Sequence, residues 1–367
     1  MARRVAMRVG TAVLCLSVLA SGVTAAAQAS VADVAGSQAQ GSARQGLSQG
    51  LSQANAALQA GEADKALSLL GNLLASLPSG SSDAAQVDNL LCRVRFMLEQ
   101  WDAAISACQQ AVRLDAGNSD YHLWLGRAYG EKAARASFLT AYSLAKQTRS
   151  EFEQAVRLDP ANAPALSDLG NFDRQAPGVV GGGMDKAQAI AAQLDKVDAV
   201  GAHLLRGQMA EQQKDYAAAE WEYKQSIAAA GAHPAVAWDE LAGFYARRQR
   251  YAEMEQAMHN VMNTAIHDKR AGAALYDSAG LLIESHQDPA LAAALLGNYL
   301  DSPAKTEEAP AFIAHLRLAQ LKQQLGDPAA AERERKAALA LAQGYRPSQA
   351  FNANRSSAGT GPQQAKN

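Results

Sequence analysis

The sequence predicts an all-α protein, a solenoid of about eight helical hairpins stacked one after another. Alanine and leucine dominate its 367 residues, and aromatic residues make up only 6%. Ala and Leu lose little conformational entropy in helices. The chain is longer than one hydrophobic core comfortably fills, and an apolar pattern returns along it at the period of helical repeats. These observations favour a repeat array over a set of separate domains.

Residues 1–29 show the three zones of a secretory signal. Three arginines precede an apolar stretch over residues 9–20, and small residues follow up to a predicted cleavage point after Ala29. The apolar stretch is too short for a membrane span. We predict an exported protein, periplasmic or secreted. The general secretory route is favoured, and the Arg3-Arg4 pair keeps the twin-arginine route as the alternative.

Two segments flank the repeats. Residues 30–48 and residues 343–367 are rich in small and polar residues and hold few large apolar ones. Such segments cannot bury enough apolar surface to offset their chain entropy. We therefore predict a flexible lead-in at 30–48 and a flexible C-terminal tail at 343–367, on either side of a helical array at 49–342.

The repeat is clearest in the second helix of each hairpin. An aromatic or turn residue is followed by a small residue three positions later, and by another packing residue four positions after that. Trp101, Ala104 and Cys108 form one such series, and Phe152 with Ala155 stands in the same phase. The other series begin at Ala63, Tyr216, Tyr251, Pro289 and Pro328.

The first helices carry the complementary half of the pattern. Leu125-Gly126 with Tyr129 matches the L-G-x2-Y core of the tetratricopeptide motif, and Leu169-Gly170 matches it in part. Over residues 49–342 the chain thus resembles tetratricopeptide repeat (TPR) proteins. The resemblance implies a right-handed superhelix in which each hairpin buries its apolar stripe against its neighbours. It also implies a concave groove lined by the first helices.

Two segments interrupt the period. Asp115 and Asp159 hold equivalent places but lie 44 residues apart, about ten more than the family's period of roughly 34. The extra residues fall within 130–150 and predict a lengthened hairpin that projects from the stack. The second interruption is the segment APGVVGGG at residues 176–183. Together these features resemble an exported bacterial subgroup of TPR proteins with an AP-G-hydrophobic-GGG loop, to which no chemistry is assigned.

The glycine-rich segment allows two interpretations. Backbone N–H groups of residues 181–183, ahead of a helix, can hold a phosphate or carboxylate. However, Asp185 would repel an anion, and the Lys-Ser/Thr pair of a P-loop is absent. The favoured alternative is a structural turn that needs positive φ and close packing, with Val179 and Val180 filling a neighbouring groove.

Cys92 and Cys108 remain after the predicted signal is removed. They lie on facing sides of one predicted hairpin, roughly level with each other. Export to an oxidising compartment allows a disulfide between them. The alternative, which we favour, is a pair of buried thiols acting as small apolar groups, because packed helix axes often hold Cα atoms too far apart for a bond.

We predict no enzymatic activity, no cofactor and no metal site. The histidines are scattered and form neither His-x3-His nor HExxH, so they lack metal-ligand spacing. The formal net charge is only −2, and basic residues form no continuous stripe. Nucleic acid is therefore not a predicted partner.

The concave groove is the predicted binding surface, and its partner is a protein or peptide. Some family members hold the C-terminal carboxylate of a chaperone partner with a clamp of Lys and Asn residues; the matching lysines are missing here, and only Asn171 falls at a place that resembles the clamp. The tryptophans are mostly at packing positions, and Trp124 and Trp221 are the best candidates if one of them is a groove anchor. The residues predicted to line the groove are Arg127, Glu131, Asn171, Arg174, Gln208, Glu211, Gln212, Asp239, Arg247, Asp277 and Glu284.

The sequence therefore predicts a non-enzymatic scaffold or adaptor in the bacterial cell envelope that holds a partner segment in its groove. One alternative is an envelope-assembly component that acts through the lengthened hairpin at 130–150. A second alternative is a small-anion binder at the glycine-rich loop, residues 178–183.

Overall fold

A computed structural model describes residues 44–78, 80–265, 271–303 and 305–345 of the chain. The chain divides into two compact units, Met1–Gln49 and Gly50–Asn367. Of the smaller unit, only residues 44–49 are described, and they are helical. The predicted signal peptide and most of the lead-in lie outside the described residues, as do residues 346–367 of the tail.

The described residues form sixteen α-helices and no strand. In the larger unit these are α1 (50–59), α2 (Ala63–Ser76), α3 (Ser82–Met97), α4 (Trp101–Leu114), α5 (Ser119–Ala134), α6 (Phe138–Leu158), α7 (Ala163–Gln175), α8 (Met184–Leu194), α9 (Ala199–Gln212), α10 (Tyr216–Ala230), α11 (Ala235–Arg247), α12 (Tyr251–Ala265), α13 (Gly272–Ser285), α14 (Pro289–Asp301), α15 (Ala311–Gln324) and α16 (Pro328–Leu341).

Consecutive helices pair as hairpins, α3 with α4 and so on to α15 with α16, and α1 precedes α2 in the same way. The first helices of neighbouring hairpins also contact each other: α7 contacts α9, and α11 contacts α13. The first helices therefore form the inner layer and the second helices the outer one. The prediction of a right-handed, TPR-like solenoid of about eight hairpins is confirmed.

Close approach within each hairpin depends on small residues at the helix contacts. In the hairpin of α5 and α6, a Cβ on Gly126 would lie 2.6 Å from the ring of Phe152, whose side chain is buried. Ala155 is also fully buried, one turn further along α6. These positions belong to the sequence pattern that predicted the hairpins. The pattern requires small residues there because the two backbones pack closely.

The last hairpin returns to the first. Helices α2 and α16 are in contact, and the backbone N–H of Gln343 donates to Asp64 Oδ2 over 2.8 Å. Tyr345 is buried, and its ring packs against Phe312 with the centroids 4.8 Å apart. Residues 343 and 345 therefore contact the folded array, and residues 44–48 are helical. The predicted boundaries at 48 and 343 stay predictions.

The lengthened hairpin is present. Helix α6 has 21 residues, and its first turn stands clear of the stack. Phe138 and Leu139 are 85% and 81% exposed there. The hairpin gains its extra length at the end where α5 turns into α6, which is where the sequence had placed the additional residues.

Candidate functional site

The inner face of the solenoid forms a polar trough, defined here by the facing sides of α5, α7, α9, α11 and α13. Three cavities open along it, with volumes of about 490, 610 and 520 Å³. All eleven residues predicted to line the groove border one or more of these cavities. The structure brings these side chains to one surface, and their role in binding a partner stays a prediction.

Polar contacts join each first helix to the next along the trough. Arg127 Nε of α5 donates to Asp168 Oδ2 of α7 over 2.6 Å. Arg247 of α11 donates through Nε and Nη2 to the two carboxylate oxygens of Glu211 on α9, over 2.8 and 2.9 Å. Two-pronged pairs of this kind fix orientation as well as charge. The trough therefore presents side chains held in defined positions.

The central cavity, of about 610 Å³, contains hydrogen-bonding groups without a partner. Among the described residues, Arg174 Nε and Gln208 Oε1 are buried atoms that make no hydrogen bond, and both residues line this cavity. Leaving a buried donor or acceptor unsatisfied costs about 1–3 kcal/mol. Both atoms are closed to solvent in this arrangement, so a ligand that offers one acceptor and one donor would remove that cost once the two side chains turn toward the cavity.

The cavity of about 520 Å³, near α11 and α13, is acidic. Burial and the neighbouring charge of Glu240 raise the pKa of Asp277 to about 6. Burial, reinforced by Asp277, also raises the pKa of Asp239 well above its usual range, although Ser278 Oγ donates to it over 2.5 Å. Carboxylates placed so close to one another resist ionising together. This end of the trough therefore favours a cationic group.

A basic and aromatic cluster lies at the other end of the trough. The guanidinium groups of Arg93 and Arg127 lie 5.2 and 4.8 Å from the ring centre of Trp124. We call these three residues the cradle. Arg93 forms an ion pair with Glu307, and Arg127 Nη1 donates to Glu308 Oε1 over 2.8 Å. Trp124 is buried in the core beside Phe96 and lines none of the three cavities, so the structure does not support it as a groove anchor.

Sequence reasoning missed Arg93, Glu307 and Glu308 as residues of this surface. A signal was available, because Asp288-Pro289 and Asp327-Pro328 lie 39 residues apart, about five more than the family's period. The extra residues form the loop between α14 and α15. The spacing of the repeats reveals that residues are inserted between α14 and α15, but it does not indicate which face of the solenoid the inserted loop contacts.

Trp221 was the other candidate for a groove anchor, and the structure does not support it either. Its side chain belongs to the second helix α10, is 57% exposed and lines none of the three cavities. Its ring lies edge-on to His203, with the centroids 6.5 Å apart. Second helices form the outer layer, so their exposed side chains point away from the trough.

The glycine-rich loop is a structural turn. Gly181 has φ of 102°, and a Cβ on Gly182 would lie 2.0 Å from the carbonyl oxygen of Ala176. The N–H groups of residues 181–183 donate to backbone carbonyls of the same segment and of Asp173. These are the donors that an anion would need, so the anion-binding alternative is not supported. Val180 is buried, but Val179, also predicted to fill a groove, is 72% exposed.

The two cysteines are joined. Cys92 on α3 and Cys108 on α4 form a disulfide with a Cα–Cα distance of 5.1 Å, and both side chains are fully buried. The favoured expectation of two free thiols rested on helix axes being too far apart. The small residues of this hairpin bring the two backbones closer than that argument assumed.

Two further findings concern the described residues alone. No group of three His, Cys, Asp or Glu side chains is arranged to hold a metal ion within this part of the chain. None of the helices described is both long enough and apolar enough to cross a membrane.

The chain was compared with known proteins. No protein-family model matches it, and no curated protein does. The yeast Tom70 structure is similar with 13% identity and a TM-score of 0.49, covering 81% of this chain and 60% of Tom70. TTC0263, a thermophilic TPR protein of Thermus thermophilus, has 18% identity and a TM-score of 0.44, covering 57% of this chain and 99% of its own.

A tetratricopeptide repeat protein from Parabacteroides merdae has 13% identity and a TM-score of 0.45, with 76% of this chain and 99% of the other covered. Likenesses at this level concern chain path alone.

Proposed function

We propose that this protein is a non-enzymatic interaction scaffold of the bacterial cell envelope whose trough binds an extended, polar segment of a protein partner. The observation that carries the proposal is the unsatisfied pair in the central cavity, Arg174 Nε and Gln208 Oε1. An extended peptide presents backbone carbonyls and N–H groups in alternation. One carbonyl and one N–H of such a segment supply the acceptor and the donor that these two atoms need.

The charge distribution supports an orientation for that segment. The cavity near α11 and α13 is acidic, whereas the cradle at the other end binds carboxylates. Complementary charge fixes register and direction more than it adds affinity. We therefore place basic side chains of the partner near Asp239 and Asp277, and an acidic or neutral part near the cradle.

The proposal is tested with a photo-crosslinking residue placed in the trough. Position Gln212 is exposed on the inner helix α9, and Gln188 is an equally exposed control on the outer helix α8. We expect a discrete crosslinked partner from Gln212 and none from Gln188. Arg174→Ala combined with Gln208→Ala should reduce the Gln212 adduct at least about tenfold, because both hydrogen bonds are lost.

Two results would contradict trough binding. One is a partner adduct from Gln188 with none from Gln212. The other is a Gln212 adduct that the double substitution at Arg174 and Gln208 leaves unchanged while far-UV circular dichroism shows that the fold is intact.

Location in the envelope is a separate part of the proposal. It is supported by the signal-like zones of residues 1–29 and by the resemblance to an exported subgroup with an AP-G-hydrophobic-GGG loop. Mass spectrometry of the protein made in its own host should give a mature chain that begins at Ser30, recovered outside the cytoplasm. A cytoplasmic protein that retains Arg3, Arg4 and the apolar stretch would exclude export.

A second candidate function rests on an independent observation. Phe138 and Leu139 at the start of α6, with Val179 of the glycine-rich loop, form an exposed apolar tip, and Tyr142 Oη donates to the Val179 carbonyl over 3.4 Å. The two interruptions of the repeat therefore meet in space. Exposed apolar surface of this kind marks interaction sites, which fits an assembly component acting through the lengthened hairpin.

The two candidates are separated by substitutions at the apolar tip. Phe138→Ser with Leu139→Ser should leave the Gln212 crosslink unchanged if the trough is the binding surface. Loss of the crosslink would favour the tip instead. Leu325→Ser is the matched control, since Leu325 is also partly exposed, at 44%, but lies in the last hairpin.

A further inference from the structure

Part of the loop between α14 and α15, at Glu307 and Glu308, lies in the trough. Most turns of the array need three or four residues, whereas this one has nine. Its two acidic residues meet the cradle: Glu307, only 8% exposed, pairs with Arg93, and Glu308 pairs with Arg127. The partners are about 200 residues apart in sequence but come together because the last hairpin returns to the first.

The cradle is built to hold carboxylates in place. The guanidinium groups of Arg93 and Arg127 both lie over the ring of Trp124, and that ring lies edge-on to Phe96 with the centroids 5.5 Å apart. Arginine side chains packed on an aromatic face lose less freedom when they bind an anion. The side chains of the cradle therefore hold one another in position independently of the loop.

The loop also has a fixed shape of its own. Tyr299 at the end of α14 donates its hydroxyl to the carbonyl of Ala309 and accepts the N–H of Thr306 over 3.4 Å. The N–H of Ala309 donates to Thr306 Oγ1 over 3.3 Å. These bonds present Glu307 and Glu308 to the cradle as a pair.

The position of the loop restricts the trough. Glu308 borders both the cavity of about 490 Å³ beside α5 and α7 and the cavity of about 520 Å³ beside α11 and α13. A segment that runs the length of the trough would meet the loop between these two cavities. The loop thus takes up space that the proposed partner requires.

We propose that residues 305–310 are an internal occupant of the trough, held by the cradle, and that a partner segment must displace them in order to bind along its full length. This inference rests on the proposed function and concerns its regulation. The loop is tethered at both ends, so its effective concentration at the cradle is high. The partner binds only the fraction of molecules in which the loop has left, and its apparent affinity falls by that fraction.

The test uses a synthetic peptide with the sequence of residues 302–311, blocked at both ends and labelled for fluorescence anisotropy. The Glu307→Gln, Glu308→Gln double variant keeps the shape of the loop but removes its two charges. Its cradle should be free, so we expect it to bind the peptide at least about tenfold more tightly than the wild type does. The control Glu62→Gln removes a partly exposed glutamate that pairs with Lys65 on α2 and should behave as the wild type.

A third variant shows where the peptide binds. Adding Arg93→Gln to the double variant should abolish most of the gained affinity, and a peptide with both glutamates replaced by glutamine should not bind. In the wild type, a millimolar concentration of the acidic peptide should speed hydrogen exchange at the amides of Thr306 and Ala309, because the loop is displaced.

Equal binding by the wild type and the Glu307→Gln, Glu308→Gln variant overturns the proposal. So does binding by neither protein at millimolar peptide, or binding that Arg93→Gln leaves unchanged. These failures remain distinct from a failure of trough binding, since the Gln212 crosslink does not depend on the peptide.

Discussion

Replacing Gly126 by alanine tests the packing that holds each hairpin together. Gly126 is buried in the middle of α5, and the matched control Gly71 is exposed in the middle of α2. A Cβ on Gly126 would lie 2.6 Å from two ring carbons of Phe152, whereas a Cβ on Gly71 would meet nothing within 4 Å. Both substitutions add the same methyl group to a helix, and only one of them adds a clash.

The magnitudes have opposite signs. In a helix interior, alanine is more favourable than glycine by about 0.5–1 kcal/mol, so Gly71→Ala should stabilise the protein by that amount. At Gly126 the ring of Phe152 is buried and must shift by several tenths of an ångström or more. Overpacking of this kind costs about 1–3 kcal/mol. After the helix gain is subtracted, Gly126→Ala should destabilise the protein by about 1–2 kcal/mol.

The assay is urea unfolding of the two variants and the wild type, followed by far-UV circular dichroism. Midpoints are compared at unchanged slope, because repeat proteins can unfold in stages. Phe152→Leu in the Gly126→Ala background should recover part of the lost stability by making room for the methyl group. The packing argument is refuted if Gly126→Ala stabilises the protein as much as Gly71→Ala does.

Three further predictions concern charge and the disulfide. The pKa of Asp277 in the folded state, raised to about 6 mainly by burial of its surroundings, lies above its unfolded value, so the folded state binds the proton more tightly and stability falls as pH rises from about 4 to 6. Asp277→Asn should therefore raise stability at neutral pH by about 1 kcal/mol, a figure that is reduced because part of the side chain is open to solvent. The same substitution should flatten the profile of urea midpoints against pH. Arg149→Gln should cost about 3 kcal/mol, because it removes the partner that donates to the almost fully buried Asp173 over 2.7 Å; an unchanged thermal midpoint would contradict this. Alkylation and mass spectrometry of the protein purified without reductant should find Cys92 and Cys108 unmodified until reductant is added. Reduction should lower the unfolding free energy by about 3 kcal/mol for a closed loop of this size; free thiols in the native protein would be the opposite result.

Local sequence was sufficient to locate the hairpins. The series that begin at Trp101, Tyr216 and Tyr251 start at the first residues of α4, α10 and α12, and Pro289 and Pro328 begin α14 and α16. These positions are set by helix propensity, proline in a first turn and the apolar contacts between adjacent helices. All of these interactions join residues within a few tens of positions of each other, so they can be predicted from the local sequence.

The lining of the trough could also be predicted, because the side of each first helix that faces inward follows from the motif's register. Asn171, Gln208 and Asp277 were placed in this way, and each lies at a cavity. What could not be predicted was the distance between packed helices. The disulfide between Cys92 and Cys108 depends on a Cα–Cα separation of 5.1 Å, and a distance of that kind is decided by the side chains that fill the interface.

The sequence by itself determined an all-helical array of hairpins and the polar character of its inner face, because both follow from local periodicity. Only the tertiary structure decided that the last hairpin meets the first and that Glu307 and Glu308 lie against Arg93 and Arg127. Closure of that kind is the sum of small rotations between successive hairpins, and no single repeat contains it. Contacts across about 200 residues arise from that sum and from the shape of one inserted loop.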